Sequence, residues 1–152
     1  MTEENALIIR VACERLVLDF ARYADQGEYE NVAALFADTG TFTRRGETFH
    51  GSTEISDSID ALLKNRRSAP KNPWWRVRHF CSNIVIDVTS DKQAVGLSYY
   101  TIYRYQGDPV DGVPPVAGPA LIGDYADVFV RTSIGWRFQS REVRPVFFNP
   151  AA

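Results

Sequence analysis

Trp75-Arg76-Val77-Arg78-His79-Phe80-Cys81-Ser82-Asn83-Ile84-Val85-Ile86-Asp87-Val88 is the first of four long runs rich in β-branched and aromatic residues. The others are Gln93 to Tyr105, Leu121 to Arg131 and Trp136 to Phe147, each set off by turn residues. Consecutive runs of this kind predict an antiparallel meander. Upstream, three stretches carry helical periodicity instead. Asn5 to Ala24 places Ile9, Ala12, Cys13, Leu16, Phe20 and Ala24 on one stripe, and Glu28 to Ala37 can turn Tyr29, Val32, Leu35 and Phe36 inward. A third helix, capped by Ser52 or Thr53, aligns Ile55, Ile59, Leu62 and Leu63 and ends in the polar stretch Lys64 to Pro73. Between the second and third, Thr39 to Phe49 reads as a short hairpin turning at Arg45 and Gly46. Helices followed by strands give an α+β domain, three N-terminal helices packed on one face of a curved, mostly antiparallel sheet, with residues 1–152 forming a single unit.

Strict alternation along the first long strand puts Val77, His79, Cys81, Asn83 and Val85 on one side and Phe80, Ile84 and Ile86 on the other. Both sides are partly apolar, yet helices can cover only one. A homodimer or homotrimer is therefore expected, with Phe80, Ile84, Leu97, Tyr99 and Tyr103 as candidate contacts. The segment from Gly107 to Ala120 holds four prolines and three glycines, so it predicts a long connection, a surface excursion or lid, in place of a tight hairpin.

The 152 residues are 45% hydrophobic and 12% aromatic, enough for one substantial core. With a formal net charge of -2 and a pI near 5.7, the chain gives no electrostatic reason to expect nucleic acid or an anionic membrane as partner, and points to an uncharged or mixed ligand. No secretory leader or apolar run of membrane-spanning length is evident, so a cytoplasmic protein is expected. Cys13 and Cys81 lack metal-ligand spacing and read as buried free thiols. Neither a glycine-rich dinucleotide fingerprint nor a phosphate loop is present, and no acid pairs with histidines at zinc spacing; no cofactor and no metal are expected.

Asp25 breaks a local rule. Gly27 is placed to close the first helix in left-handed geometry, which leaves Asp25 in or beside the last turn. Unpaired carbonyls there make an exposed acid unfavourable by roughly 0.3–1 kcal/mol. A misfit of this kind marks a candidate functional residue.

The segments Ala24-Asp25-Gln26-Gly27-Glu28-Tyr29, Arg76-Val77-Arg78-His79-Phe80 and Gly135-Trp136-Arg137-Phe138, in that order and spacing, resemble the SnoaL-like branch of the nuclear-transport-factor-2-like superfamily, especially the scytalone dehydratases. The resemblance runs from the first helix to the last strand. It implies a cone-shaped fold enclosing an apolar pocket in which Asp25 pairs with His79. Neutral imidazole is a competent general base, and a carboxylate on its other nitrogen fixes the tautomer and stabilises the imidazolium. Proton abstraction next to a substrate carbonyl then allows elimination or isomerisation without a metal.

The pattern is not copied throughout. A second histidine of the scytalone dehydratase type falls near Ser98 here, and an aromatic hydroxyl preceding the acid is replaced by Ala24. Tyr100 shares Ser98's strand parity and is a candidate hydroxyl donor. A one-residue change in alignment exchanges the Asp124 face of its strand for the Tyr125 and Asp127 face, so Asp124 and Tyr125 stand as alternatives. Phe20 and Phe42 are candidates for an aromatic wall, while His50 reads as a turn residue.

The expected function is a cofactor-independent lyase, a dehydratase or related isomerase or cyclase, acting on a small cyclic or aromatic carbonyl compound. Two other readings compete. The Arg76 to Phe80 segment and the strand-rich C-terminal half also resemble the noncatalytic β subunits of ring-hydroxylating dioxygenases. A protein that binds a small ligand without chemistry is the third.

Overall fold

The computed structural model describes residues 1–67, 76–105 and 111–150, with the backbone alone over residues 60–67. Helix α1 spans Glu3–Gln26, α2 Tyr29–Ala34 and α3 Gly51–Arg67. Strands are β1 Phe36–Arg44, β2 Glu47–His50, β3 Arg76–Val88, β4 Gln93–Tyr105, β5 Leu121–Thr132 and β6 Gly135–Phe148. They form one sheet in the order β2-β1-β6-β5-β4-β3. The anticipated meander is β3 to β6, all antiparallel. The β1–β2 hairpin joins it through a parallel pairing of β1 with β6.

The ends of α1 follow local chemistry. The Thr2 hydroxyl accepts from the Asn5 amide, and Gly27 adopts φ 77° while the amides of Gly27 and Glu28 return to the carbonyls of Ala24 and Tyr23. The buried face of this helix, including Ile9, Cys13, Leu16, Val17 and Phe20, meets Phe36, Phe42, Phe129, Trp136 and Phe138 from the sheet. At α3, Glu54 accepts the backbone amide of His50 at 2.8 Å and closes the turn from β2.

Several expectations are corrected. The second helix stops at Ala34, because Phe36 already pairs with Phe138 as the first residue of β1. Gly40 lies in the irregular stretch of that pairing, where a Cβ would stand 2.8 Å from the Ala37 carbonyl oxygen, so the register of β1 shifts at a position that favours glycine. α3 is described as far as Arg67, inside the polar stretch Lys64 to Pro73 expected to end it. The Leu62 and Leu63 side chains, Trp75, and the start of the Gly107 to Ala120 connection lie outside the described residues. That connection's far end is tied down, since the Ala120 amide donates to Ile102 and its carbonyl accepts from Asn149.

The largest correction is in β3. Ser82 faces Tyr99 and Val85 faces Leu97, so two residues of β3, Asn83 and Ile84, oppose one of β4. Asn83 takes the extra turn at φ 50°. Side-chain parity reverses there. Val77, His79 and Cys81 point inward as expected, but beyond the bulge Ile84 and Ile86 pack on the core and Val85 is 56% exposed. Ile84 thus leaves the set of candidate subunit contacts, while Phe80, Leu97 and Tyr99 remain exposed on the outer face.

Candidate active site

The inner face of the sheet and the last turns of α1 enclose a cavity of about 480 Å³, within the size range of small-molecule sites. Its lining includes Phe20, Ala24, Tyr29, Phe42, Val77, His79, Tyr100, Ile102 and Tyr125. His79 enters from β3, before the bulge, at the strand level paired with Ile102 of β4.

Asp25 stands behind that histidine. One carboxylate oxygen lies 2.6 Å from His79 Nδ1, and the two oxygens accept the His79 backbone amide at 3.1 and 3.2 Å. The acid at the end of α1 is thereby supplied with donors by the neighbouring strand, which offsets its misfit with the helix carbonyls. An ionised carboxylate only accepts, so Nδ1 carries the hydrogen and Nε2 is the nitrogen left for a ligand. Side-chain exposure of 15% for His79 and 12% for Asp25 limits competition from water for this short bond.

The other sequence candidates separate into groups. Phe20 and Phe42 both line the cavity, with ring centroids 5.7 Å apart. Tyr125 lines it too, only 2% exposed and stacked 4.6 Å from Tyr100. Register settles the choice of face on β5: Gly123, Tyr125, Asp127 and Phe129 are buried, so Asp124 points away from the cavity. Ser98 is buried but not part of the lining, and its hydroxyl has no partner.

Tyr100 contributes its ring. Its hydroxyl is buried without a partner against Gly123, where a Cβ would come within 2.7 Å of the oxygen. Burial, and then the Asp124 charge, push the Tyr100 hydroxyl up to about 12. Burial raises Tyr125 further still. Both phenols are therefore neutral at physiological pH. Burial also raises the Cys81 thiol, and Cys13 to about 12, which leaves neither as a ready nucleophile.

Sequence reasoning missed the cavity's other polar residues: Tyr29, Arg44, Arg45 and Arg104. The signal existed for two of them. Arg44 shares Phe42's parity on β1, and Arg104 shares the parity of Ser98 and Tyr100 on β4. Also missed was a buried ion pair beneath the aromatic wall, in which Arg141 donates to both Asp127 oxygens at 2.8 and 2.7 Å. Burial alone would lower Arg141, but the facing Asp127 outweighs it and holds the guanidinium above its ordinary value.

Residues 5–142 match the SnoaL-like domain family. Among solved structures, a candidate scytalone dehydratase from Novosphingobium aromaticivorans is 23% identical, with a TM-score of 0.77 over 97% of this chain and 91% of that one. A hexachlorocyclohexane dehydrochlorinase of the LinA type 2 form is 16% identical, with a TM-score of 0.77 over 99% and 94%. A nuclear-transport-factor-2-like protein with a cystatin-like fold, also from N. aromaticivorans, is 22% identical, with a TM-score of 0.72 over 97% and 88%. At these identities the likeness establishes the fold. No curated protein sequence matches the chain. Among the described residues, no helix is long and apolar enough to cross a membrane.

Proposed function

The chain belongs to the SnoaL-like domain family, and from that membership and the Asp25–His79 pair we propose that it is a cofactor-independent lyase. Its substrate is a small cyclic or aromatic carbonyl compound, and its reaction is loss of water or a related isomerisation or cyclisation. The observation that carries this reading is the 2.6 Å bond from His79 Nδ1 to Asp25 on the wall of an apolar, aromatic cavity. Structural relatives that include a candidate scytalone dehydratase and a dehydrochlorinase support the same class of elimination chemistry.

In the proposed mechanism, His79 Nε2 removes the proton next to the substrate carbonyl. Asp25 holds the ring in the required tautomer and stabilises the imidazolium that forms. The electron pair of the broken C–H bond passes into the enolate. As the carbonyl re-forms, the β-hydroxyl departs with the proton returned by His79, leaving an α,β-unsaturated product and water. The apolar walls keep bulk water from competing for that proton.

The test is dehydration of a panel of aromatic β-hydroxyketones, followed by the ultraviolet absorbance of the conjugated product. His79→Ala should lower the rate by about 10²- to 10⁴-fold, the usual range for a general acid–base group. Asp25→Asn should lower kcat while leaving substrate binding near wild type, because the carboxylate acts on the imidazole and not on the ligand. Full activity in His79→Ala would reject the dyad. Saturable binding of the panel with no turnover by the wild type would assign a ligand-binding protein instead.

A further inference from the structure

The cavity's charge does not resemble that of the chain. The sequence has 19 acidic and 17 Lys or Arg residues, yet among the described lining residues no carboxylate appears, and Arg44, Arg45 and Arg104 all do. We propose that the substrate is an aromatic carboxylate whose anionic group seats on Arg44, Arg45 and Arg104, while its ring fills the apolar cavity toward His79. This deepens the lyase reading and takes its orientation toward His79 from it.

Arg44 is the best-defined element of the anion site. Its Nη2 donates to the Ser58 carbonyl at 2.6 Å, and its guanidinium lies 5.5 Å from the Phe49 ring centroid, so the side chain is held from two sides. Its Nε is buried without a partner. Among the described residues no carboxylate forms an ion pair with it. Glu47, its cross-strand neighbour, is exposed and attracts it only as a nearby charge.

The arginines also act on one another. Desolvation lowers Arg44 and Arg104, and the charge of Arg45 lowers both further. Three like charges gathered at a partly dehydrated rim oppose each other in the empty protein, and a bound anion relieves that opposition. Arg104 is engaged by other contacts, so its part is to add field, not an unused donor. Arg45 is held at the tip of the β1–β2 turn with φ 52°, a left-handed conformation that Asn or Gly usually occupies in such turns.

Spacing fits a ring between the two ends of the site. Arg104 lies two residues along β4 from Ile102, which pairs with His79, so the level of Arg104 is displaced by about 7 Å from that of the imidazole. That is the scale of a ring system with a carboxylate at one end and a reacting carbon at the other. The net charge of -2 describes the whole surface and says nothing of this local field.

The experiment is calorimetric titration of the intact protein with 2-naphthoate and with 2-naphthamide, which differ in charge and little in shape. Naphthoate should bind about tenfold or more tightly than the amide, in keeping with charge-assisted hydrogen bonds, and added salt should weaken it selectively. Arg44→Gln should remove most of that preference and Arg104→Gln should narrow it, with naphthoate losing more affinity than naphthamide in each. Because Arg45 is exposed, Arg45→Gln supplies a variant with little risk to folding; it should narrow the preference, and circular dichroism and thermal melts verify all three. Equal affinity for the two probes, no naphthoate binding at millimolar concentration, or a preference that survives in all three variants would overturn the proposal. His79→Ala should keep the preference for naphthoate, so failure of the anion site and failure of the dyad are read from different proteins.

Discussion

Arg141 and Asp127 show how much a single pair can hold in place. Their side chains are 0% and 1% exposed, and the guanidinium lies 4.4 Å from the Phe20 ring, 4.2 Å from Tyr125 and 4.3 Å from Phe138. Two of those rings are walls of the cavity. Arg141 Nη1 has no partner, so the guanidinium has little reserve if the carboxylate is lost. Removing one member of a buried pair strands the other charge, and Asp127→Ala should destabilise the protein by about 3–5 kcal/mol in urea denaturation. Replacing both together, with Asp127→Leu and Arg141→Met, should cost clearly less than the single change. An equal or larger loss in the double variant would show that packing, not charge, dominates. The pair was only half visible in the sequence. Asp127 was recognisable on the alternative face of its strand, but Arg141 becomes its partner only through the β5–β6 register, which shifts between Val128 and Phe129. Asp25, in contrast, announced itself by standing at the wrong end of a helix whose glycine stop could be read directly.

At the level of elements, β3 depends on Asn83. Its φ of 50° is accessible to asparagine at modest cost, whereas a β-branched residue is strongly opposed there. Asn83→Val should therefore cost about 1–3 kcal/mol by chemical denaturation, and Asn83→Gly should lie within about 1 kcal/mol of wild type. If Val and Gly were equivalent, the bulge would not be what fixes the strand. The consequence reaches past stability. The bulge lets His79 and Ile86 face the same interior from opposite parities, so a lost bulge would turn either the His79 end or the core end of β3 outward. Strict alternation reads both halves of a strand with one parity and cannot see such a change, which is why it puts Ile84, Val85 and Ile86 on the wrong faces. The parallel pairing of β1 with β6 was hidden for another reason. Its partners are far apart in sequence and neither strand carries a local mark of the other. The glycine stop of α1, the Arg45–Gly46 turn and the four-strand meander, each encoded within its own few residues, were legible.

For the molecule as a whole, the helices cover the inner face of the sheet and leave much of the outer face to solvent in the single chain. Phe80 is 58% exposed, Val85 56%, Val95 38%, Leu97 44% and Tyr99 46%, all on β3 and β4. Because the two strands are paired, with Ser82 opposite Tyr99 and Val85 opposite Leu97, these side chains form a continuous patch. A patch of this kind on a sheet face is a candidate subunit contact, and a homodimer or homotrimer is the expected state. Sedimentation equilibrium at micromolar concentration should return a mass above the 17.1 kDa of one chain. The double change Phe80→Glu and Tyr99→Glu should shift it to that mass while preserving far-ultraviolet circular dichroism, since neither residue contributes to the core. A wild-type protein that sediments as one chain would leave this face without a partner. His79 and Phe80 are neighbours on one strand and face opposite sides, so the dissociated variant also shows whether assembly stiffens the proposed active site. Equal kcat in the associated and dissociated forms would mean that β3 holds the imidazole unaided, whereas a fall in kcat with unchanged KM would place part of that rigidity in the partner's contact with the outer face.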